Sequence, residues 1–286
     1  MKHRFVDEHR HLWPVCMICR VLGVSPSGYC AWRRRSESGR AVANRALLAE
    51  IRAVHAESGG AYGAPRVHAY LRAHGRRVGR HRIARLMRRA GLRGLAAIPR
   101  RLRTTDSRHD HPIAPNRLRR NFTAAAPNQV WLADLTYVRT GEGWLFLAAL
   151  IDMHTRKVVG WAVRDTLHAD IALEALEMAI KRQRPAPGLV HHSDRGVQYA
   201  ADAYRQALAA AGIAPSMSRK GNCLDNAPME SFFHTLKVER VHHRVYATTA
   251  EARRDLFAYM EGFYNSRRLH SGIGYRSPAD MERMAA

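Results

Sequence analysis

The sequence lacks a long uncharged apolar segment. In its 286 residues, the apolar run GWLFLAALI at 143–151 lies between Glu142 and Asp152. That run is far shorter than the roughly 20 residues that cross a bilayer. Near the N-terminus, Arg20 interrupts the apolar stretch VCMICRVLGV and no small-residue cleavage site follows, so no signal peptide is expected. These features predict a cytoplasmic protein without a membrane partner.

Cysteine is also scarce, with four residues at Cys16, Cys19, Cys30 and Cys223. They are too few and too scattered for a disulfide framework, which agrees with a reducing compartment. Cys16 and Cys19 form one C-x-x-C, but no second Cys/His pair follows at zinc-finger spacing. The pair lies in an apolar helical pattern, so we expect buried thiols and no zinc site.

Acidic residues are few in comparison with basic residues. The chain has 47 Lys and Arg against 24 Asp and Glu, a net charge of +23. Residues 1–120 hold 27 basic and 7 acidic residues, and residues 121–286 hold 20 and 17. Most of the basic residues are Arg, which binds phosphate in a bidentate manner, although a GC-rich genome also favours Arg. Because the basic residues lie on short predicted helices between turns, nucleic acid is favoured over a membrane surface.

The first 40 residues have a helix-turn-helix pattern. PVCMICRVLGVSPSGYCAWRRR predicts a helix, a turn at Gly23, and a second helix that Ser25 caps. This second helix ends in Arg33, Arg34 and Arg35, which are candidate DNA contacts. A linker near residues 36–42 leads to a second helical group over residues 41–96.

The last helix of that second group, GRHRIARLMRRAG, combines an apolar stripe with arginines. Ile83, Leu86 and Met87 form the stripe. The candidate DNA contacts on its other faces are Arg80, Arg82, Arg85, Arg88 and Arg89. A solvated basic face is the alternative for any single helix, but five arginines beside a turn favour DNA. Residues 97–126, rich in Pro and Arg, predict a linker that lies on nucleic acid or is mobile.

From residue 127 onward the pattern predicts strands and helices of an α/β domain that ends in a helical extension. Three strands at 129–139, 143–153 and 157–166 predict an antiparallel meander. The following helices are predicted at 169–183, 197–212 and 226–241, and the strands between them at 188–194 and 213–219. The resulting order over residues 127–286 is βββαβαβα.

Three acids stand out by their positions in this order. Asp134 lies in the middle of the first strand, where an ionised side chain is unexpected. Asp194 ends the fourth strand, and Glu230 opens the last helix of the α/β pattern. If the first and fourth strands are neighbours, the three carboxylates meet and repel one another unless divalent cations lie between them. For Glu230 alone, a favourable interaction with the helix N-terminus is the alternative.

Carboxylate ligands without a His/Cys set indicate Mg²⁺ or Mn²⁺, and two such ions can support in-line phosphoryl displacement. Thirty-five residues separate Asp194 from Glu230. Among the neighbouring histidines, His192 can share a strand face with Asp194, whereas His191 cannot.

Other polar residues near these acids have simpler explanations. Asp152 is expected to form a turn, and Asp225 and Asn226 are expected to cap the last helix. Lys237 can contact DNA phosphate or form a surface ion pair. Four residues in the C-terminal region are further candidate DNA contacts: Asn265, Arg267, Arg268 and His270.

Several segments together resemble one family. WLADLTYV, HHSDRGVQY, GNCLDNAPMESFFHTLK and YNSRRLHSGIGYRSP are similar to successive blocks of bacterial insertion-sequence transposases, the OrfB type of the insertion-sequence-three family. YGAPRVHAYL and RIARLM resemble the N-terminal half of the same proteins. The resemblance implies an RNase H-like integrase catalytic core, a DDE triad at Asp134, Asp194 and Glu230, and two bound metal ions.

The function expected from this resemblance is DNA transposition, by 3′-end cleavage followed by strand transfer. It also implies binding to terminal inverted repeats, homo-oligomers on DNA, association with the nucleoid, and an upstream-frame protein or a frameshift fusion to it. Another RNase H-like nuclease or resolvase, and a non-catalytic DNA-binding regulator, remain alternatives.

Overall fold

The computed structural model describes residues 1–96, 112–168, 170–220 and 222–285. Two compact units divide the chain, Met1–Ala53 and Val54–Ala286, and the boundary falls within one helix. Within the described residues, no helix has both the length and the apolar character needed to cross a membrane.

The first unit begins with three short helices. They are α1 (Lys2–His9), α2 (Val15–Leu22) and α3 (Pro26–Arg34). Gly23 ends α2 in the left-handed conformation at φ 62°, and Ser25 Oγ accepts a hydrogen bond from the Gly28 amide at 3.0 Å. The predicted helix, turn and capped helix are confirmed. The sequence patterns did not indicate α1, which packs on them through buried Val6.

Two expectations for this region were wrong. Cys19 is buried, but Cys16 is exposed, because only Cys19 faces the small core shared with Ile18 and Tyr29. The predicted linker at 36–42 is shorter, since the next helix, α4 (Gly39–Glu57), already begins at Gly39.

The helices α5 (Ala64–Ala73) and α6 (Arg80–Arg89) follow α4 in the chain. Ile83, Leu86 and Met87 are the buried residues of α6, as its apolar stripe predicts. The predicted second helical group is therefore present in the described chain.

A five-stranded sheet forms the centre of the second unit. Its strands are β1 (Val130–Thr140), β2 (Gly143–Asp152), β3 (Val158–Arg164), β4 (Val190–Ser193) and β5 (Ala214–Met217). The spatial order is β3-β2-β1-β4-β5, with β1–β2 and β2–β3 antiparallel and β1–β4 and β4–β5 parallel. The predicted meander and the predicted β1–β4 contact are both confirmed.

Helices cover both faces of this sheet. They are α7 (Asp170–Gln183), α8 (Val197–Ala200), α9 (Asp202–Ala210), α10 (Ala227–Glu239), α11 (Thr249–Phe257) and α12 (Pro278–Ala285). Side chains of β1 alternate between the two faces: Trp131 and Ala133 pack with α7 to α9, whereas Leu132 packs with α10 and α11. At Gly160, a Cβ atom would lie 2.1 Å from the Ala175 carbonyl oxygen, so only glycine allows α7 to approach β3 this closely.

The predicted helix over 197–212 is divided into α8 and α9, because Ala201 adopts an extended conformation with ψ 143°. After α11, the chain continues as a π-helix, Ala258–Asn265, which the sequence patterns did not indicate. A short 3₁₀ turn, Cys223–Asn226, precedes α10.

Of the predicted linker over 97–126, residues 97–111 lie outside the described part of the chain. The described remainder packs on the sheet of the second unit, contrary to the expectation of a mobile or DNA-bound segment. Leu118 is buried in the core, and the Arg117 amide donates to Ser216 Oγ at 2.9 Å.

Candidate active site

Asp134 lies within β1, and Asp194 directly follows the end of β4, the parallel strand beside it. Leu132 of β1 pairs with His192 of β4, and the same register carried two residues further sets Asp194 beside Asp134. Asp134 Oδ1 accepts a hydrogen bond from the Leu135 amide at 2.8 Å, and Asp194 Oδ1 accepts one from the Gly196 amide at 2.9 Å. Each carboxylate is therefore oriented by backbone next to it.

Glu230 reaches this region through α10. The side chain of Asn226 donates from Nδ2 to the Ala133 carbonyl oxygen at 3.0 Å, which attaches the start of α10 to β1 beside Asp134. Glu230 lies in the first turn of α10 and is exposed. The apolar residues of α10 are buried as predicted: Met229, Phe232, Phe233 and Leu236.

The electrostatics show that the three acids influence one another. Burial raises the pKa of Asp134 well above its usual value, and the negative charges of Asp194 and Glu230 raise it further. The Lys237 ammonium acts on Asp134 in the opposite direction. The acids are thus close enough for their charges to interact.

Lys237 is half-buried on α10, with its Nζ 4.9 Å from the centre of the Tyr137 ring. Burial lowers the pKa of Lys237, and the charge of Asp134 opposes that shift. Lys237 therefore faces the acids, which does not fit the alternative of a surface ion pair. Its contact with DNA stays a prediction.

Two buried polar atoms near the acids have no hydrogen-bond partner among the described residues, namely the Tyr199 hydroxyl and Asn226 Oδ1. The charges of Asp134 and Asp194 add to burial in raising the pKa of Tyr199. The described residues contain no group of three His, Cys, Asp or Glu side chains arranged to hold a metal ion.

The two histidines before Asp194 have protein partners. His192 contacts Ser216 Oγ at 2.8 Å through Nδ1 and Ser218 Oγ at 3.1 Å through Nε2. His191 Nε2 lies 2.8 Å from the Tyr204 hydroxyl. Burial lowers the pKa of His191 to about 3 and that of His192 to about 4, so both rings are neutral parts of the core.

Asp152 has the turn-forming role that its position predicts. It accepts hydrogen bonds from the Asn128 amide at 2.7 Å and from the amide and hydroxyl of Thr155 at 2.7 and 2.8 Å. Asp152 is thereby fully engaged in the β2–β3 connection.

The predicted cap of α10 is confirmed in position but not in its hydrogen bond. Asn226 is the N-cap residue of α10, but its side chain makes no capping hydrogen bond, and the Asp225 carboxylate bonds elsewhere. Asp225 is buried and accepts from Arg219, Arg120 and Asn116. The hydrogen bonds from Arg219 are the main cause of its lowered pKa. Asp225 thus joins the segment before β1 to the segment before α10.

The candidate DNA contacts in the C-terminal region differ in their exposure to solvent. Arg267 is exposed, but Arg268 is 2% exposed and its guanidinium is paired with Glu239 at 2.6 Å. Asn265 is buried and bonds both backbone groups of Val158 on β3. Burial and ion pairing leave Arg268 and Asn265 unsuited to DNA contact. His270, half-buried beside Arg268, also belongs to this structural cluster.

Most of the N-terminal candidates are exposed. These are Arg33, Arg34 and Arg35 at the end of α3, and Arg80, Arg85, Arg88 and Arg89 on α6. Arg82 is half-buried. DNA contact by these arginines stays a prediction.

Sequence reasoning overlooked Tyr199 and the side-chain bond of Asn226. Tyr199 belongs to the quoted segment HHSDRGVQY, five residues after Asp194, and this proximity was the available signal. For Asn226 no sequence signal could identify the bond to Ala133, because 93 residues separate the two positions.

The sheet carries Asp134 within β1 and Asp194 directly after the neighbouring β4, and helices precede it in the chain. This arrangement defines an integrase-type α/β core preceded by a helix-turn-helix-like region. The family model described as "Integrase core domain" matches residues 124–223, a second of the same description matches 211–278, and "HTH-like domain" matches 43–101.

Known proteins are similar over nearly the whole chain. The "Insertion element IS600 uncharacterized 31 kDa protein" of Shigella sonnei is 46% identical over 92% of this chain and 96% of that protein. "Transposase InsF for insertion sequence IS3A" of Escherichia coli (strain K12) is 39% identical over 99% of this chain and 98% of that protein. The HTLV-2 integrase catalytic core domain in complex with magnesium is 14% identical, covers 56% of this chain and 98% of its own, and has a TM-score of 0.39.

This chain belongs to the insertion-sequence-three family of bacterial transposases.

Proposed function

We propose that this chain binds the terminal inverted repeats of an insertion sequence, cuts the DNA to leave a 3′-hydroxyl, and joins that hydroxyl to a second DNA strand. The observation that carries the proposal is that Asp134 of β1 interacts electrostatically with both Asp194, which follows the neighbouring strand β4, and Glu230 of α10. Carboxylates brought together at such a site favour binding of divalent cations.

The donor set fits Mg²⁺ or Mn²⁺, two ions in all, because hard cations prefer carboxylate oxygens. Asp134, Asp194 and Glu230 would hold them. The unpartnered Tyr199 hydroxyl and Asn226 Oδ1 suit the water molecules that such cations carry. When bound, the cations activate the attacking oxygen and stabilise the leaving oxygen of an in-line displacement.

Residues of the chain itself supply the remaining roles. Lys237, half-buried beside Asp134, offsets part of the negative charge and holds a DNA phosphate near the acids. The exposed arginines of α3 and α6 bind DNA phosphates. Arg267 extends this basic surface within the C-terminal region.

Three further properties follow from the same proposal. The chain acts at the nucleoid, where its DNA is. It assembles as a homo-oligomer, because two element ends must be cut and joined together. An upstream-frame protein, or a frameshift fusion to it, supplies additional DNA binding.

The deciding experiment uses the purified full chain, end-labelled terminal-repeat duplex and Mg²⁺. Asp134→Asn, Asp194→Asn and Glu230→Gln should each abolish cleavage and strand transfer, with DNA affinity largely retained, because the acids act in the chemical step. The matched control is Asp165→Asn, which removes an exposed carboxylate and should leave both activities unchanged.

Each other outcome identifies a different protein. Cleavage of any duplex without strand transfer would indicate an RNase H-like nuclease or resolvase. Binding without cleavage by the unaltered chain would indicate a DNA-binding regulator. Normal strand transfer by any of the three variants would remove that acid from the metal site.

A further inference from the structure

Two side chains near the start of α5, Tyr62 and Arg66, bind a loop of the C-terminal region. We call residues 54–96, which include α5 and α6, the helical region. Tyr62 is 3% exposed, and its hydroxyl accepts a hydrogen bond from the Leu269 amide at 2.8 Å. The same hydroxyl donates to the Arg267 carbonyl oxygen at 3.2 Å. Arg66 Nε donates to the Leu269 carbonyl oxygen at 3.0 Å. Both backbone polar groups of Leu269 are thus bound by side chains of the helical region.

The loop that receives these bonds is fixed to the catalytic core on its other side. Arg268, next to Leu269, forms a buried ion pair with Glu239, the last residue of α10. Asn265 bonds both backbone groups of Val158 on β3. Arg66 also reaches Glu239 directly, with 3.7 Å between Nη1 and Oε1. Position 269 is therefore anchored to the sheet and to α10.

The same helix α10 carries Glu230. The nine residue steps from Glu230 to Glu239 correspond to roughly 13 Å along a helix axis. Because an α-helix of this length is stiff, its far end and its catalytic acid move together. The contacts of Tyr62 and Arg66 consequently connect the helical region to the acid through one rigid element.

On the helical side, Tyr62 is connected to the segment that follows α6. The Leu95 amide donates to the Gly60 carbonyl oxygen at 3.1 Å. A Cβ atom on Gly94 would lie 2.7 Å from the Gly63 nitrogen, so these two backbone segments are in close contact. The end of the α6 region is therefore held against the residues on both sides of Tyr62.

A cleft adjoins the contacts of Tyr62 and Arg66. It has a volume of about 670 Å³ and lies between the helical region and the C-terminal region. Val54, Tyr70 and His74 line one side, and Phe263, Tyr275 and Met284 line the other. Because close packing is interrupted here, the directional bonds of Tyr62 and Arg66 have a large share in setting the relative orientation.

We propose that Tyr62 and Arg66 are positioning residues that fix the distance between the bases read by the helical region and the phosphodiester that is cut. They do so by holding the α5–α6 region against the helix that carries Glu230. This inference rests on the proposed function, but the contact itself can be tested without any DNA cleavage.

The test compares full-length Tyr62→Phe with Tyr70→Phe. Both variants lose one phenol hydroxyl from the helical region, but in the described part of the chain the Tyr70 hydroxyl bonds within that region, to Glu57 at 3.3 Å. The first readout is the cleavage position on terminal-repeat duplex, mapped to single nucleotides. We expect Tyr62→Phe to lose about tenfold in cutting at the normal position and to cut at neighbouring phosphodiesters. Tyr70→Phe should cut as the unaltered chain does.

The affinity for the duplex should not change in Tyr62→Phe, since the hydroxyl faces protein. A merely destabilised variant would lose cutting at all positions equally, without new cut sites. Arg66→Gln, which removes the donor to Leu269 and the charge beside Glu239, should produce the same displaced cuts. An unmoved cut position in both Tyr62→Phe and Arg66→Gln would overturn the proposal.

Amide hydrogen exchange at Leu269 supplies the second readout and requires no activity. In Tyr62→Phe this amide loses its acceptor and should exchange about tenfold faster, whereas Tyr70→Phe should leave it unchanged. Unchanged exchange would show that the contact does not hold the loop. Absence of cleavage by the unaltered chain would overturn the proposed function and the cut-position role with it, and the exchange result would still decide the contact.

Discussion

Arg267 and Arg268 are adjacent in the sequence, yet they occupy opposite environments. Arg267 is exposed, whereas the Arg268 guanidinium donates two hydrogen bonds to the Glu239 carboxylate, at 2.7 and 2.6 Å. Tyr259 donates a third hydrogen bond to the same carboxylate at 2.8 Å. A buried carboxylate that has lost its cation is strongly destabilising, so the two arginines should respond differently to truncation.

Arg268→Ala is therefore expected to lower the free energy of unfolding by about 3 kcal/mol, because the buried Glu239 carboxylate loses its close cation and keeps the Arg66 guanidinium at 3.7 Å. Arg267→Ala should change it by no more than about 0.5 kcal/mol, as for other exposed positions. Urea denaturation of both variants measures the difference. Equal stabilities would contradict the assignment of Arg268 to a structural ion pair.

The positions of the three acids were predictable from the sequence, whereas the partners of Arg268 were not. An ionisable residue in the middle of an apolar strand is a local signal, and Asp134 shows it. The pairing of Arg268 with Glu239 spans 29 residues and depends on how the C-terminal region folds back on α10. Both arginines have the same neighbours in sequence, so no local pattern distinguishes them.

The raised pKa of Asp134 makes a prediction about stability. A carboxyl whose pKa is higher in the folded state stabilises the fold fully at low pH, and that contribution is lost as the pH rises through the folded-state pKa. At pH 7–8 without divalent cations, Asp134→Asn should therefore raise the melting temperature, since it removes a buried negative charge beside Asp194 and Glu230.

Divalent cations should reverse this order of melting temperatures between Asp134→Asn and the unaltered chain. At 100 times its dissociation constant, a cation that binds only the folded state adds about 2.7 kcal/mol. Mg²⁺ or Mn²⁺ should stabilise the unaltered chain and Asp165→Asn by this mechanism, but Asp134→Asn far less. Thermal melts with chelator and with added cation provide the measurement, and an equal gain in all three proteins would argue against a metal site at Asp134.

At the scale of elements, the sequence located most helices and strands, because their apolar periodicity is local. The order β3-β2-β1-β4-β5 was predictable in part, since the three consecutive strands indicated a meander, whereas the contact of β1 with β4 was a condition of the hypothesis about the three acids. The break at Ala201 and the π-helix Ala258–Asn265 were not. Both arise where the chain adjusts to tertiary packing, and apolar periodicity does not record such local changes.

Helix α6 offers a prediction that separates base reading from phosphate binding. Arg80 lies at its N-terminal end and Arg89 at its C-terminal end, and both are exposed while the apolar stripe is buried. N-terminal residues of a recognition helix usually contact base edges. We expect Arg80→Ala to reduce the preference for terminal-repeat DNA over random DNA, by about 1–3 kcal/mol if it removes a bidentate guanine contact.

Arg89→Ala should instead weaken binding to both duplexes equally, because a phosphate contact carries no sequence information. Competition binding with terminal-repeat and scrambled duplexes at one salt concentration distinguishes the two effects. If Arg80→Ala kept the full preference, α6 would not be the base-reading element.

At the scale of the whole molecule, charge is distributed unevenly along the chain. Residues 1–120 carry a net +20 and residues 121–286 a net +3. In the second of these regions many arginines are neutralised by acids, including Arg164 by Glu174 and Arg182 by Glu261. Uncompensated positive charge therefore lies mainly in the N-terminal region, which should supply most of the contacts to DNA phosphates.

This distribution predicts how salt affects DNA binding by two variants of the full chain with equal net charge. One variant replaces Arg33, Arg34 and Arg35 by Gln, and the other replaces three exposed basic residues of the second region, Lys181, Arg253 and Arg254, by Gln. Each phosphate contact adds about 0.9 to the slope of log affinity against log salt. The first variant should therefore lose up to roughly 2.7 in slope, and the second should keep a slope near that of the unaltered chain.

Fluorescence anisotropy across a salt series measures the slopes of both variants. Because the two variants lose the same charge, an equal loss of slope would show that net charge alone governs binding, and a larger loss in the second would place the phosphate contacts on the catalytic region.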